Sequence, residues 1–144
     1  MNDSAALANR LRSVLLHLGR ELRREGQALG VTPAQVSLLE AIRADPGIAA
    51  ADLAERERVS AAAMSGLLVR LEASRLIVRN RAADRRRIEL ALTPEGERLV
   101  RSVRGRRTSL LAERLERLTP EQRDRIEVAL GSLEALLDGP EAKA

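Results

Sequence analysis

Along most of the chain, apolar residues recur every three or four positions, which is the spacing of a single helix face. Leu7, Leu11, Val14, Leu15, Leu18 and Leu22 predict a helix over residues 4–29, with Asp3 or Ser4 as its cap and Gly30 just past its end. Thr32-Pro33-Ala34-Gln35 supplies a cap, a proline at the first helical position and a glutamine that reaches back. The helix that follows buries Val36, Leu39 and Ile42 and stops before Pro46-Gly47. Ile48 is expected to form a very short strand. Residues 50–57 read as a short helix with Leu53 and Ala54 inward, joined through Arg58 and Val59 to a capping Ser60. The helix over 61–74 turns Met64, Leu67, Leu68 and Leu71 inward. The period then changes from helix to strand. Ile77–Asn80 and Ile88–Leu92 read as two strands, with Ile88, Leu90 and Leu92 alternating with Glu89 and Ala91. Thr93-Pro94-Glu95-Gly96 opens a helix to about Leu118, in which Gly105 is a weak point. Thr119-Pro120-Glu121-Gln122 opens the last one, carrying Ile126, Leu130, Leu133 and Leu137 and ending before Gly139-Pro140.

Composition narrows what these elements can be used for. The 144 residues are 44% hydrophobic, enough for a core, but include no Phe, Tyr or Trp. The core must therefore be leucine, isoleucine, valine, alanine and two methionines, and no ring is available to stack an unpaired base. Without cysteine, disulfides and thiol chemistry are excluded, and one histidine, His17, cannot make a zinc cluster. Asp52, Glu55 and Glu57 share a short helix with no histidine nearby and read as solvated acids rather than metal ligands. No cofactor and no metal are expected. There is no nucleophile motif and no phosphate-cradling glycine loop, so the chain is not expected to be an enzyme. No secretory signal and no membrane span are visible, which makes the cytoplasm the expected location.

Charge sharpens the picture further. The formal net charge is only +4, but eleven arginines face four acids between Arg75 and Arg107, so that segment carries +7 and the remainder −3. Its densest part is the loop Arg81-Ala82-Ala83-Asp84-Arg85-Arg86-Arg87 between the two strands. A short helix, a tight turn, an amphipathic helix and a hairpin with a basic tip make a winged helix-turn-helix. The fold class is thus mainly α with a small β-hairpin wing: a winged helix-turn-helix lobe plus a helical dimerisation region. Such a unit sets its second helix in the major groove of double-stranded DNA and a hairpin arginine in the minor groove. The arginines at 98, 101, 104, 106 and 107 lie on the following helix and are expected to face solvent or form salt bridges across a dimer.

The residues resemble the MarR family of transcriptional regulators. The resemblance runs from Leu11 to Leu137 and is carried by Leu53-Ala54-Glu55, Val59-Ser60, Leu67-Leu68-Val69-Arg70-Leu71-Glu72, Leu76-Ile77-Val78-Arg79, Asp84-Arg85-Arg86 and Leu90-Ala91-Leu92-Thr93-Pro94-Glu95-Gly96. It implies one MarR-like domain over 1–144, with a DNA-binding lobe at 31–93 and a dimerisation region at 4–29 and 94–138. It also implies a homodimer on a pseudo-palindromic operator, most often as a repressor, with a small-molecule effector releasing the DNA. Carried over residue by residue, Arg86 is the minor-groove arginine and Asp84 the acid that braces the wing. Ser60, Ala61, Ala62, Ala63, Ser65 and Gly66 form the groove-facing start of the recognition helix. Arg70 and Arg79 contact phosphates or brace the lobe, and Arg81, Arg85 and Arg87 are further phosphate candidates. His17 lies near where family ligand pockets form, and a structural role for it is favoured over a sensory one.

This sequence departs from the family pattern in places. Gly66 stands where many relatives carry a long polar residue, Arg75 replaces a common glycine after the recognition helix, and the wing loop is about one residue short. With Ala61 to Ala63 beside Gly66, base readout by hydrogen bonds is sparse. This leaves one alternative in view: a winged-helix module that docks an acidic protein partner without specific DNA binding.

Overall fold

Two helices open on the same four-residue device. At Thr32 the hydroxyl accepts the Gln35 N–H at 3.2 Å, and the Gln35 side chain accepts the Thr32 N–H at 3.0 Å. Thr119 and Gln122 repeat both bonds at the same distances. Each pair satisfies two amide donors that a helix start would otherwise strand. At the second start, backbone N–H donation and the Thr119 hydroxyl hold the Glu121 carboxyl below its ordinary value.

The computed structural model describes residues 3–81 and 87–138. In chain order it contains α1 (Asp3–Gln27), α2 (Pro33–Ala44), α3 (Ala50–Arg56), α4 (Ala61–Ala73), β1 (Ile77–Arg81), β2 (Ile88–Leu92), α5 (Pro94–Glu116) and α6 (Pro120–Glu134). Gly105 does not interrupt α5, and α6 stops at Glu134, short of the expected end.

Three helices end in the same way. After α1, α3 and α4 a residue enters the left-handed region: Gly30 at φ 79°, Arg58 at 55° and Arg75 at 59°. The next amide then reaches back five residues, Val31 to Gly26, Val59 to Ala54 and Leu76 to Leu71. This closes the last carbonyls of each helix and reverses the chain. Only the first of the three uses glycine; the arginines adopt a conformation that costs an L-residue about 1 kcal/mol or more.

β1 and β2 form an antiparallel pair in the register Ile77 to Leu92 through Arg81 to Ile88. The strand expected at Ile48 is realised as a single bridge, one residue later, between Ala49 and Glu89. Gly47 N–H and Ile48 O bond to Leu90 on either side of it. Leu90 is fully buried, whereas Ile88 is 38% exposed, so the expected inward alternation fails at the loop end of the strand. There the side chain leaves the core and lines a groove beside α3 and α4.

The chain divides into two compact units, residues 1–107 and 108–144, with the boundary inside α5. The core of the first is aliphatic: Leu38, Leu39, Ile42, Leu53, Met64, Leu68, Leu71, Ile77, Leu90 and Val100 are sealed from solvent. A smaller cluster of Val31, Val36 and Val103 sets the end of α1 against α2 and α5. Among the described residues no polar or charged residue is buried. α6, in the second unit, has no buried residue.

Candidate nucleic-acid interface

α4 is anchored by Met64, Leu68 and Leu71, whose side chains are 1% exposed or less. At about 3.6 residues per turn, the stripe opposite these anchors is Ala62, Gly66, Val69 and Ala73, and all four are exposed. Ser65 flanks the stripe on one side and Arg70 on the other, and both are exposed. Ala61 and Ala63 are exposed as well. A Cβ added at Gly66 would meet nothing within 4 Å, so that position is open space. Ser60 starts the helix, and its Oγ accepts the Ala63 N–H at 3.1 Å. One of its two lone pairs is therefore used within the fold, and the hydroxyl proton stays available for a donor role.

The turn leading into α4 is short because Arg58 takes the left-handed conformation and Val59 tucks back onto α3. The start of α4 is exposed over Ala61, Ala62 and Ala63 and carries the partial positive charge of a helix N-terminus.

The hairpin is fixed on both sides at its root. Arg79, on β1, places its Nε 2.7 Å from Glu72 Oε2 on α4, as a charge contact that falls short of a hydrogen bond. Its Nη2 is buried without a hydrogen-bond partner among the described residues. Arg87, just before β2, lies 3.6 Å from Asp52 of α3. Arg81 is exposed at the end of β1. The expectations for Asp84, Arg85 and Arg86 fall outside the described residues. Between the hairpin root, α3 and α4 runs an open groove of about 250 Å³, lined by Ala50, Ala54, Met64, Leu68, Arg79 and Ile88.

Three arginines of α5 are engaged elsewhere. Arg104 grips Glu40 of α2 with two hydrogen bonds, 3.0 and 2.9 Å, a pairing that raises its already high pKa through the bond first and charge second. Arg106 pairs with Glu25 of α1 at 3.2 Å, and Arg107 Nε donates to the Leu22 carbonyl at 3.1 Å. These contacts form within one chain, whereas the sequence predicts a solvated face or salt bridges across a dimer. His17 is exposed on α1, its Nδ1 3.0 Å from the Ser13 carbonyl one turn back. Asp52 and Glu57 likewise have ordinary partners, Arg87 and the Ser37 hydroxyl, and no metal-ligand cluster exists among the described residues.

Three participants were missed by reading the sequence: Val69 on the exposed stripe, and Glu72 and Asp52 as the hairpin's anchors. Val69 could have been found, because it sits three residues past Gly66 on the same helical face. The anchors carry no local signal.

The comparisons bear on the same elements. The sequence profile of the MarR family matches residues 29–88, which span α2, α3, α4 and β1. The HTH-type transcriptional repressor MdtR of Bacillus subtilis is 32% identical over 113 residues, 78% of this chain and 73% of that protein. The crystal structure of a transcriptional regulator from Pseudomonas aeruginosa superposes with a TM-score of 0.83 at 31% identity, covering 95% of this chain and 97% of that one. A MepR variant of Staphylococcus aureus bound to an oligodeoxyribonucleotide shares the fold, with a TM-score of 0.72 at 22% identity over 91% and 97% of the two chains. The exposed α4, the hairpin rooted beside it and these likenesses agree, and the chain belongs to the MarR family of DNA-binding, winged helix-turn-helix transcriptional regulators.

Proposed function

We propose that this regulator is a homodimeric repressor that binds a pseudo-palindromic operator and lets go when a small molecule binds. The observation that carries the operator reading is the exposed face of α4 beside a hairpin whose two strands are tied to α4 and α3. α4 enters the major groove, Arg86 enters the minor groove with Asp84 bracing it, and Arg70, Arg81 and Arg85 hold phosphates. A repressor role is supported by the likeness to MdtR. Family membership favours DNA over an acidic protein as the partner of the basic hairpin.

Self-association is supported by apolar surface that each unit leaves uncovered. On α1, Leu7, Val14, Leu15 and Leu16 are about half exposed or more, and on α6 Val128 is 82% exposed. Patches of this kind mark interaction surfaces. Sedimentation should give a dimer at micromolar concentration; a stable monomer would remove the two-lobed reading of a palindrome. The effector, whose pocket would be aliphatic in a chain without aromatic residues, completes the proposal. Action on chromosomal DNA places the protein in the cytoplasm, and no helix among the described residues is long and apolar enough to cross a membrane.

The direct test is binding to fragments from the protein's own promoter region, compared with random DNA. Arg86→Ala is expected to weaken operator binding at least tenfold, the scale of one specific groove contact. Arg101→Ala, on α5, should change it less than twofold. Equal losses would show that the hairpin does not enter the minor groove.

A further inference from the structure

DNA binding leaves open what the recognition helix reads, and the side chains on α4 restrict the answer. Its outward stripe is Ala62, Gly66, Val69 and Ala73, none of which can donate or accept a hydrogen bond through its side chain. Val69 is the bulkiest of them and is 56% exposed. No long polar side chain rises from the first two turns, and the space over Gly66 is empty. In the major groove each base pair shows an apolar feature only where thymine places its C5 methyl.

We infer that α4 distinguishes operator sequences by apolar contact of Ala62 and Val69 with thymine methyl groups, and not by a bidentate hydrogen-bonding side chain. Ser65 and Arg70 flank this stripe and supply the polar contacts at its edges. Gly66 lets the helix backbone approach the base edges closely, since no side chain stands between them. The operator half-site is accordingly one with thymines under the middle of α4. This inference rests on the operator-binding role proposed above and specifies its recognition chemistry.

The test uses the full-length protein and the operator that it selects from a pool of random DNA. Each thymine of a half-site is replaced singly by uracil, which deletes the methyl group and leaves the pairing edge intact. Two positions per half-site should each bind about fourfold more weakly, the worth of one buried methyl. Val69→Ala should then abolish the thymine-over-uracil preference at one of those positions and keep it at the other, a pattern that altered DNA shape would not produce. If uracil is tolerated throughout the half-site while selection still returns a preferred sequence, the methyl-reading inference is overturned and the operator-binding role stands. If selection returns no preferred sequence, the operator-binding role itself falls and this inference with it.

Discussion

Gly96→Ala is expected to lower the melting temperature by about 10 °C, since among the described glycines it is the one where an added methyl meets backbone most closely. Gly96 is buried in the first turn of α5, and a Cβ there would overlap the Leu76 carbonyl oxygen. That oxygen has little freedom to move. It already accepts the Thr93 N–H at 3.1 Å, and the adjacent Arg75 carbonyl accepts the Thr93 hydroxyl at 2.6 Å. The same hydroxyl accepts the Gly96 N–H at 3.0 Å. Ile77, the next residue, is 2% exposed in the core. Relief therefore means either lifting the start of α5 or pulling β1 from its seat. Overpacking against backbone costs about 3 kcal/mol, a large share of the roughly 5–15 kcal/mol that holds a domain folded. Thermal unfolding followed by circular dichroism measures it, with Gly105→Ala as the control. Gly105 lies mid-helix with nothing within 4 Å of an added Cβ, so that change should be neutral or stabilise by up to about 1 kcal/mol. Equal melting curves for the two variants would mean that the close approach of α5 to Leu76 does not exist in solution.

The second large effect is that of salt on DNA binding. Every phosphate neutralised releases condensed counterions, so affinity falls steeply with ionic strength. The structure sets the expected size. Arg79 and Arg87 have carboxylate partners in Glu72 and Asp52, and Arg104 and Arg106 have theirs in Glu40 and Glu25. Arg70 and Arg81 have no carboxylate partner among the described residues, and with Arg85, which the proposed function also sets on phosphate, they would give about six contacts for the proposed dimer. Raising salt from about 50 to about 200 mM should then weaken operator binding by about a thousandfold. Were Arg79 and Arg87 to leave their carboxylates for phosphates, about ten contacts would form and the loss would approach a hundred-thousandfold. The slope of a titration of log affinity against log salt separates the two, and a flat slope would remove the basic hairpin from the interface altogether.

Much of this architecture was legible before any coordinates. The caps at Thr32, Ser60 and Thr119 act within four residues of themselves, so sequence alone reveals them. The core positions of α4 follow from the helical period, and the two strands from the change of period after Leu76. What escaped the sequence is what depends on distant placement. Glu40 and Arg104 are 64 residues apart, and nothing near either announces the pair. The grip of Thr93 and Gly96 on the turn at Arg75 and Leu76 was visible only as a resemblance; its physical reason is a backbone contact across some twenty residues. The exposure of Ile88 was misread because alternation assumes that a core extends the full length of the strand, and here it does not.

The pairing of Arg104 and Arg106 with acids on α2 and α1 also shapes events before any contact with DNA. A basic helix left uncompensated would draw a polyanion toward α5 as strongly as toward the hairpin. With those two charges offset locally, less of the attraction felt at a distance is centred on α5. Long-range fields of this kind raise the rate of encounter, and a focused one also orients it, so that an approaching duplex meets α4 and the wing first. Association rates at low salt would then depend on the carboxylates of Glu25 and Glu40 as well as on the arginines of the hairpin.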